Sequence, residues 1–392
     1  MIARLAGAVE FGQYALTLTV WLIIAGIHRA LITEPVIVTS GAIEDRRGVI
    51  AHGLGAELLL GAAVSVVAAV AGIVFLAAGA GAGALMLALA PWLTALLIQD
   101  YWRAMSFQER RPERALINDV VFAVVQGVAI VAFLLLGFRS APWIVTAWGI
   151  GGLAGALLGL RWHPAIGGPG EGWQLLRRFW SMSRWFLADF STGFASDQSY
   201  VALAALLMSQ ADYGGFRAAY SLLGPSFVIA IAAGNIGLPE ASRCVGIGDI
   251  GALREVARRL NIATFAALAL YGGFVAVAGR QLLTLVYGQE FARFAHVAAL
   301  VAGGYSLLGL VFGCGVALKA SGKIRRLWRA RVVVAALSLT SMVVLIRGFG
   351  VMGAGWAGGV TGIYFIVAVY VVYRAELGHR TEKPVPEPLR VA

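Results

Sequence analysis

The chain has 392 residues, of which 60% are hydrophobic and only 13% charged. Soluble globular proteins carry about 25% charged residues, so this composition excludes an ordinary soluble enzyme and indicates a membrane protein. The net charge of +11 does not by itself indicate nucleic-acid binding, because polytopic membrane proteins retain lysine and arginine in their cytoplasmic loops.

Apolar runs of about 20 residues, each long enough to cross a bilayer, recur along the whole chain. No segment alternates apolar and polar residues as a transmembrane strand would. The sequence therefore predicts an all-α polytopic membrane protein with about eleven transmembrane helices. They are expected at 11–32, 54–77, 82–99, 116–137, 141–160, 182–208, 215–236, 261–279, 293–317, 328–346 and 352–374.

Most of the 31 basic residues fall into six segments, and eleven helices would place all six on one side of the membrane. That side is predicted to be cytoplasmic. The distribution favours a multi-pass protein of the cytoplasmic membrane with a cytoplasmic C-terminus, and it removes the reason to expect nucleic acid as a partner. Cys244 and Cys314 have no metal-type spacing, so we expect neither a metal nor a cofactor.

Two stretches of the chain occur twice. The sequence EFGQY at 10–14 returns as DYGGF at 212–216, and an arginine-led helix ending in Gly-Phe at 114–138 returns at 325–349. Both pairs join elements six helices apart, which indicates two parallel repeats. The predicted domains are an N-terminal lobe at 1–160 with five helices, a cytoplasmic linker at 161–181, a C-terminal lobe at 182–374 with six helices, and a cytoplasmic tail at 375–392.

The predicted lobes differ by one helix at their N-terminal ends. The C-terminal lobe has a helix ahead of DYGGF, whereas only MIARLAGAV precedes EFGQY. We therefore expect that the first of twelve helices is missing, through a truncated N-terminus. In the fifth predicted helix, Gly151, Gly155 and Gly159 follow each other at four-residue spacing, which predicts close packing against neighbouring helices.

Several segments together carry a family resemblance over nearly the whole chain: EFGQYALTL, LVYGQEF, LKASGKIRRLWRARVVV and IRGFGVMGAGWAGGV. In this order they resemble the polysaccharide flippases of the multidrug, oligosaccharidyl-lipid and polysaccharide exporter superfamily. The resemblance implies two parallel helical lobes around a central cavity and transport of an undecaprenyl-pyrophosphate-linked oligosaccharide. It also implies membrane lipids, a polysaccharide polymerase and glycosyltransferases as partners.

A lipid-linked diphosphate needs cations inside the membrane, and arginine suits phosphate best. Arg29 and Arg217 lie in or near predicted helices and are the leading candidate anion ligands. Arg217 is also close enough to a helix end to extend to the lipid headgroups instead, and Arg29 has Glu34 as an alternative partner. Both interpretations stay open at this stage.

The helix at 182–208 is the most polar of the predicted spans. At about 100° per residue, Asp189 shares a stripe with Tyr200, and Asp197 lies about 80° away. Either aspartate suits a coupling site for a proton or sodium ion, or a structural pair with an arginine, and the latter is favoured for Asp197. Glu57, Asp100 and Asp119 lie near predicted helix ends and are interpreted as structural. The candidate substrate site is thus Arg29, Arg217, Asp189, Asp197 and Tyr200.

Two alternatives to a flippase follow from the same residues. A drug or cation antiporter of the same superfamily would need acidic rather than basic cavity residues. A polytopic membrane glycosyltransferase or polymerase would need a large outer loop with catalytic acids, whereas the longest predicted outer loop is the short one at 280–292. ASGKI at 320–324 lacks the rest of a phosphate-binding loop. We therefore expect a transporter rather than an enzyme.

Overall fold

A computed structural model describes residues 17–40, 45–138, 140–163 and 165–378. The chain divides into two compact units, Met1–Arg184 and Trp185–Ala392. The described residues form helices and short connections, and no strand occurs among them. Within the described part of the chain, nine helices are long and apolar enough to cross a membrane. The prediction of an all-α, multi-pass membrane protein is confirmed.

The first unit consists of helices joined by short turns. They are α1 (Thr17–Ser40), α2 (Arg46–Ala77), α3 (Ala82–Gln108), α4 (Pro112–Leu135) and α5 (Ala141–Trp162). The helix α6 (Pro169–Leu207) begins in this unit and continues into the second. It is not one of the nine apolar helices, because it carries the charged residues that made it the most polar predicted span.

The second unit contains the rest of α6 and four further helices. They are α7 (Gln210–Gly246), α8 (Ile250–Tyr287), α9 (Gln289–Ala320) and α10 (Ile324–Tyr373). The helix α10 bends at Gly350, whose φ of 58° lies in the left-handed region that favours glycine. This bend separates the two helices predicted at 328–346 and 352–374.

Several helices extend beyond the predicted apolar runs. α2 begins eight residues early, at Arg46, because the carboxylate of Asp45 caps it by accepting a hydrogen bond of 2.9 Å from the amide of Gly48. α3 continues to Gln108, and α6 begins at Pro169 inside the segment predicted as linker. A proline in the first helical turn is well tolerated, because the amide it lacks would have no helical partner there. Hydropathy marks the membrane core of a helix rather than its ends.

Two sequence predictions concern segments that are only partly described. EFGQY, at 10–14, lies outside the described residues, whereas DYGGF lies in the first turns of α7, which Ser209 caps. The predicted tail begins with a helical turn, Arg374–Gly378, and its remainder lies outside the described residues. The carbonyl of Leu377 accepts hydrogen bonds of 2.9 and 2.6 Å from Arg254.

The glycines of α5 let this helix approach its neighbours closely. A Cβ atom at Gly159 would lie 1.9 Å from Cδ1 of Trp102 on α3, and one at Gly151 would lie 2.8 Å from the carbonyl oxygen of Phe122 on α4. Both distances are far below van der Waals contact. The predicted close packing of the small-residue helix is confirmed.

Candidate functional site

A cluster of charged side chains lies inside the first unit, among apolar helices. α1 supplies His28 and Arg29, α2 supplies Glu57 and α3 supplies Asp100. The side chains of His28 and Glu57 are 0% exposed. Charged groups at this depth are stable only when they are paired and hydrogen-bonded, so the contacts within the cluster decide its properties.

His28 connects two carboxylates. Its Nδ1 lies 2.7 Å from both Oε1 and Oε2 of Glu57, and its Nε2 lies 3.0 Å from Oδ2 of Asp100. Carboxylate oxygens accept hydrogen bonds and do not donate them when ionised, so an imidazole that donates from both nitrogens satisfies the two acids together. Thr33 adds a hydroxyl 3.4 Å from Oε1 of Glu57. The geometry therefore suits a doubly protonated His28.

Arg29 is the second cation of the cluster. Its Nε and Nη2 donate to the two oxygens of Asp100 at 2.6 and 2.5 Å, which is the fork geometry that gives strong arginine–carboxylate pairs. Arg29 thus pairs with an acid 71 residues away, and its side chain keeps 26% of its surface exposed. With His28 protonated, two positive charges balance two negative ones. Loss of that proton would leave one uncompensated negative charge among buried groups.

The backbone of α1 changes its winding at this cluster. Residues Arg29–Thr33 form a π-helical turn, in which the amide of Glu34 bonds to the carbonyl of Arg29. Such turns are rare and occur often at functional sites, because they reorient side chains on one face of a helix. Here the turn begins at one residue of the cluster and ends at the hydroxyl that contacts Glu57.

Glu57, Asp100 and Asp119 were placed near helix ends by sequence, and the structure corrects this. Each lies in the interior of its helix, because α2, α3 and α4 all extend past the predicted ends. Glu57 and Asp100 are buried partners of His28. Asp119 accepts a hydrogen bond of 3.2 Å from Gln99 and lies 3.7 Å from Arg103.

A second group of charges lies inside the second unit, around Asp189 of α6. Its Oδ2 accepts a hydrogen bond of 3.0 Å from Nη1 of Arg331 on α10 and lies 3.5 Å from Nζ of Lys319 on α9. The Asp189 side chain is 2% exposed, and its Oδ1 has no hydrogen-bond partner among the described residues. Asp189, rather than Asp197, makes the ion pairs here.

Arg331 connects the two aspartates of α6. Besides its bond to Asp189, its guanidinium interacts electrostatically with Asp197 and lies 5.4 Å from the ring of Phe365. Its Nε is buried and has no hydrogen-bond partner in the described part of the chain. A guanidinium whose buried Nε is unused can donate a further hydrogen bond to an anionic oxygen.

Asp197 lies beside a row of aromatic rings. Tyr200, Phe216, Tyr220, Phe227 and Tyr305 contact one another in sequence, with ring centroids between 5.1 and 6.5 Å apart. The carboxylate of Asp197 interacts electrostatically with the hydroxyls of Tyr220 and Tyr305, and its side chain is exposed. The hydroxyl of Tyr200 donates to the carbonyl of Ala354 at 2.6 Å, which fixes this ring against α10.

The five predicted site residues thus fall into separate places. Arg29 belongs to the cluster in the first unit, whereas Asp189, Asp197 and Tyr200 lie along α6 in the second unit. Arg217 is exposed on α7. Their roles as ligands stay predictions.

The site predicted from the sequence lacks His28, Lys319 and Arg331. A signal for His28 existed, because a histidine beside an arginine in an apolar helix needs acidic partners. Arg331 follows Arg325, Arg326 and Arg329 along the same helix, so the sequence alone does not distinguish it from them.

Comparison with known proteins identifies the fold. No family model matches the chain, and no curated protein does. Solved structures do match. A MATE transporter in a complex aligns with a TM-score of 0.85 at 12% identity, over 96% of this chain and 90% of that one. An outward-facing multidrug resistance MATE family transporter of the MOP superfamily aligns with a TM-score of 0.77 at 13% identity, over 94% and 89%.

A third match comes from a named organism. A mutant of the Vibrio cholerae MATE transporter VcmN aligns with a TM-score of 0.70 at 15% identity, covering 97% of this chain and 91% of that one. The chain is therefore a multi-pass membrane protein with the fold of the MATE transporters. At these identities the likeness concerns the fold alone.

Proposed function

We propose that this protein is an alternating-access flippase that carries an undecaprenyl-pyrophosphate-linked oligosaccharide across the cytoplasmic membrane for surface polysaccharide synthesis. Its structural neighbours are transporters and not enzymes, which supports transport without covalent chemistry. The order of segments that resembles polysaccharide flippases supports this substrate. The basic loop segments support a cytoplasmic C-terminus.

The buried and unused Nε donor of Arg331, on a side chain that is 28% exposed, is the observation on which the proposed substrate depends. A diphosphate cannot enter hydrocarbon without cationic donors, and arginine binds phosphate oxygens at defined angles. Arg331 is held by Asp189 through Nη1, while its Nε has no partner among the described residues. Asp189 would orient the guanidinium, and a phosphate oxygen would accept from the unused donor.

Replacing Arg331 tests this assignment. In a deletion strain of the native host, the Arg331→Gln variant should restore little surface polysaccharide, with the lipid-linked sugar retained in the inner leaflet. Arg329→Gln is a matched control, because Arg329 is exposed on the same helix two residues away. Membrane levels of both variants should equal wild type. Normal polysaccharide in the Arg331→Gln strain would contradict the proposed role.

A drug or cation antiporter is the second candidate, and Asp197 is the observation that favours it. An exposed carboxylate beside the rings of Tyr200, Tyr220 and Tyr305 could bind an organic cation through charge and through the aromatic faces. Arg331 interacts electrostatically with this carboxylate, but no hydrogen bond to it forms among the described residues.

Substitution of Asp197 separates the two functions. If the protein is an antiporter, Asp197→Asn should abolish ethidium efflux from proteoliposomes. Asp212→Asn should keep it, because Asp212 lies at the exposed N-terminus of α7. A flippase should show no ethidium efflux in either form. Surface polysaccharide that is unchanged by gene deletion, together with increased drug sensitivity, would favour the antiporter and exclude the flippase.

A further inference from the structure

A cavity with charged side chains in its lining lies where α8 ends and α9 begins, and Asp189, Asp197 and Arg331 are not among its lining residues. Its volume is about 590 Å³, and it lies within the second unit. The side chains that give it its chemistry are Val277, Arg280, Gln289, Glu290, Arg293 and His296. None of these residues has a role in the proposed transport site.

The cavity lining carries an excess of positive charge. Arg280 and Arg293 share the lining with one acid, Glu290, and with His296. All four side chains are exposed. In the described part of the chain, no hydrogen bond or ion pair occupies either guanidinium, although that of Arg293 lies 4.7 Å from the ring of Phe294. The donors are therefore free for an anionic ligand.

The position of these arginines is unusual for this chain. The predicted topology places the segment 280–292 on the outer side, where basic residues are few because they are retained in the cytoplasm. The general cytoplasmic excess of arginine therefore does not explain Arg280 and Arg293. Two arginines and a histidine that share one cavity on this side indicate a local function.

The apolar surroundings of the cavity show what kind of anion would fit. Val277, which lines the cavity, is 82% exposed, and Leu285 on the same helix is 84% exposed. Side chains this apolar and this exposed on a membrane helix contact lipid chains. A ligand that has a charged head and apolar tails would satisfy both the cationic and the apolar parts of this surface.

We propose that this cavity binds the phosphate group of an anionic phospholipid from the adjacent leaflet. The guanidinium groups of Arg280 and Arg293 would donate to the phosphate oxygens, and Gln289 would donate to the headgroup. The acyl chains would lie along the exposed apolar face of α8 that includes Val277. This site is independent of the transported substrate and goes beyond the proposed function.

Native mass spectrometry of the full-length protein in detergent tests the proposal with two defined lipids. Phosphatidylglycerol is anionic, whereas phosphatidylcholine offers the same phosphate with a neutralising choline. We expect the first bound phosphatidylglycerol to dissociate about ten-fold more readily from Arg280→Gln/Arg293→Gln, a change of one decade in Kd. Phosphatidylcholine should bind both forms weakly.

The matched control removes the same charge at the other end of α8. Arg258→Gln/Arg259→Gln alters two exposed arginines that pair with Glu255, and it should leave the tightest phosphatidylglycerol site unchanged. An equal loss of phosphatidylglycerol affinity in both double variants would overturn the proposal, because the binding would then depend on the total positive charge of the protein and not on this cavity. Displacement of the tightest lipid by millimolar inorganic phosphate would also overturn it, because the ligand would then be a free phosphate.

Discussion

Nδ1 of His28 lies 2.7 Å from both carboxylate oxygens of Glu57, and neither side chain has any exposed surface. The two residues come from different helices, α1 and α2, in the interior of the first unit. A buried ion pair contributes little net stability relative to apolar residues, but loss of one partner leaves a buried charge without compensation.

We predict that His28→Gln and Glu57→Gln each destabilise the purified protein by about 3–5 kcal/mol. The double variant should be less destabilised than the sum of the two, because Arg29 and Asp100 then remain as a neutral pair. These changes in stability are measured by thermal unfolding, followed by intrinsic fluorescence. Glu171→Gln is the control, since Glu171 is 53% exposed and pairs with His52 at 3.7 Å, and it should change stability by less than about 1 kcal/mol. Additive effects in the double variant would contradict the coupling.

Arg29 is predicted to bind substrate, yet it already holds Asp100 through two hydrogen bonds. Arg29→Gln should therefore reduce both stability and polysaccharide export. The double variant Arg29→Gln/Asp100→Asn removes both charges of the pair and should recover part of the stability. We expect export to stay low in it, because the exposed part of the guanidinium is also lost. Full export by the double variant would show that Arg29 only balances Asp100.

The tight contacts of α5 lead to a prediction about stability that depends on packing alone. Gly159→Ala should destabilise the protein by about 1–3 kcal/mol, because the added methyl group overlaps the Trp102 ring. Gly127→Ala on α4 is the matched control, since nothing lies within 4 Å of its Cβ position. Helix propensity makes that control neutral or slightly stabilising. The thermal midpoints of the two variants provide the comparison, and equal midpoints would show that α5 can move away from Trp102.

The fold was predictable because the information for it is local. Each membrane helix is encoded by its own apolar run, and glycine or a charged turn separates it from the next. The bend at Gly350 was visible in the same way, as a break between two apolar runs. The ends of helices were less predictable, because charged residues such as Arg46 continue a helix beyond the apolar run.

The charged clusters were not predictable, because their members are far apart in sequence. His28 and Glu57 are 29 residues apart, and His28 and Asp100 are 72 apart. Each acid alone resembles a polar residue near a helix end, and only helix packing brings it to its partner. Arg331 likewise follows a series of basic residues, and only the contact with Asp189 distinguishes it from them.

His163 lies just after the end of α5, and it makes the stability of the folded protein depend on pH in a direction that can be predicted. Its ring stacks on Trp102 with centroids 4.8 Å apart, and its Nε2 lies 3.5 Å from Glu109. Burial lowers the pKa of His163 below the usual histidine value; Glu109 opposes this shift and Arg114 adds to it. The folded protein therefore keeps His163 neutral at a pH where the unfolded chain takes up a proton, so stability decreases as the pH falls through about 6.5.

We expect His163→Gln to reduce the loss of thermal stability between pH 7.5 and pH 5.5, which are about one unit above and below that value. His52→Gln removes a histidine that is 43% exposed and should leave the loss unchanged. An identical pH dependence in wild type and His163→Gln would show that this ring does not stay neutral in the folded state.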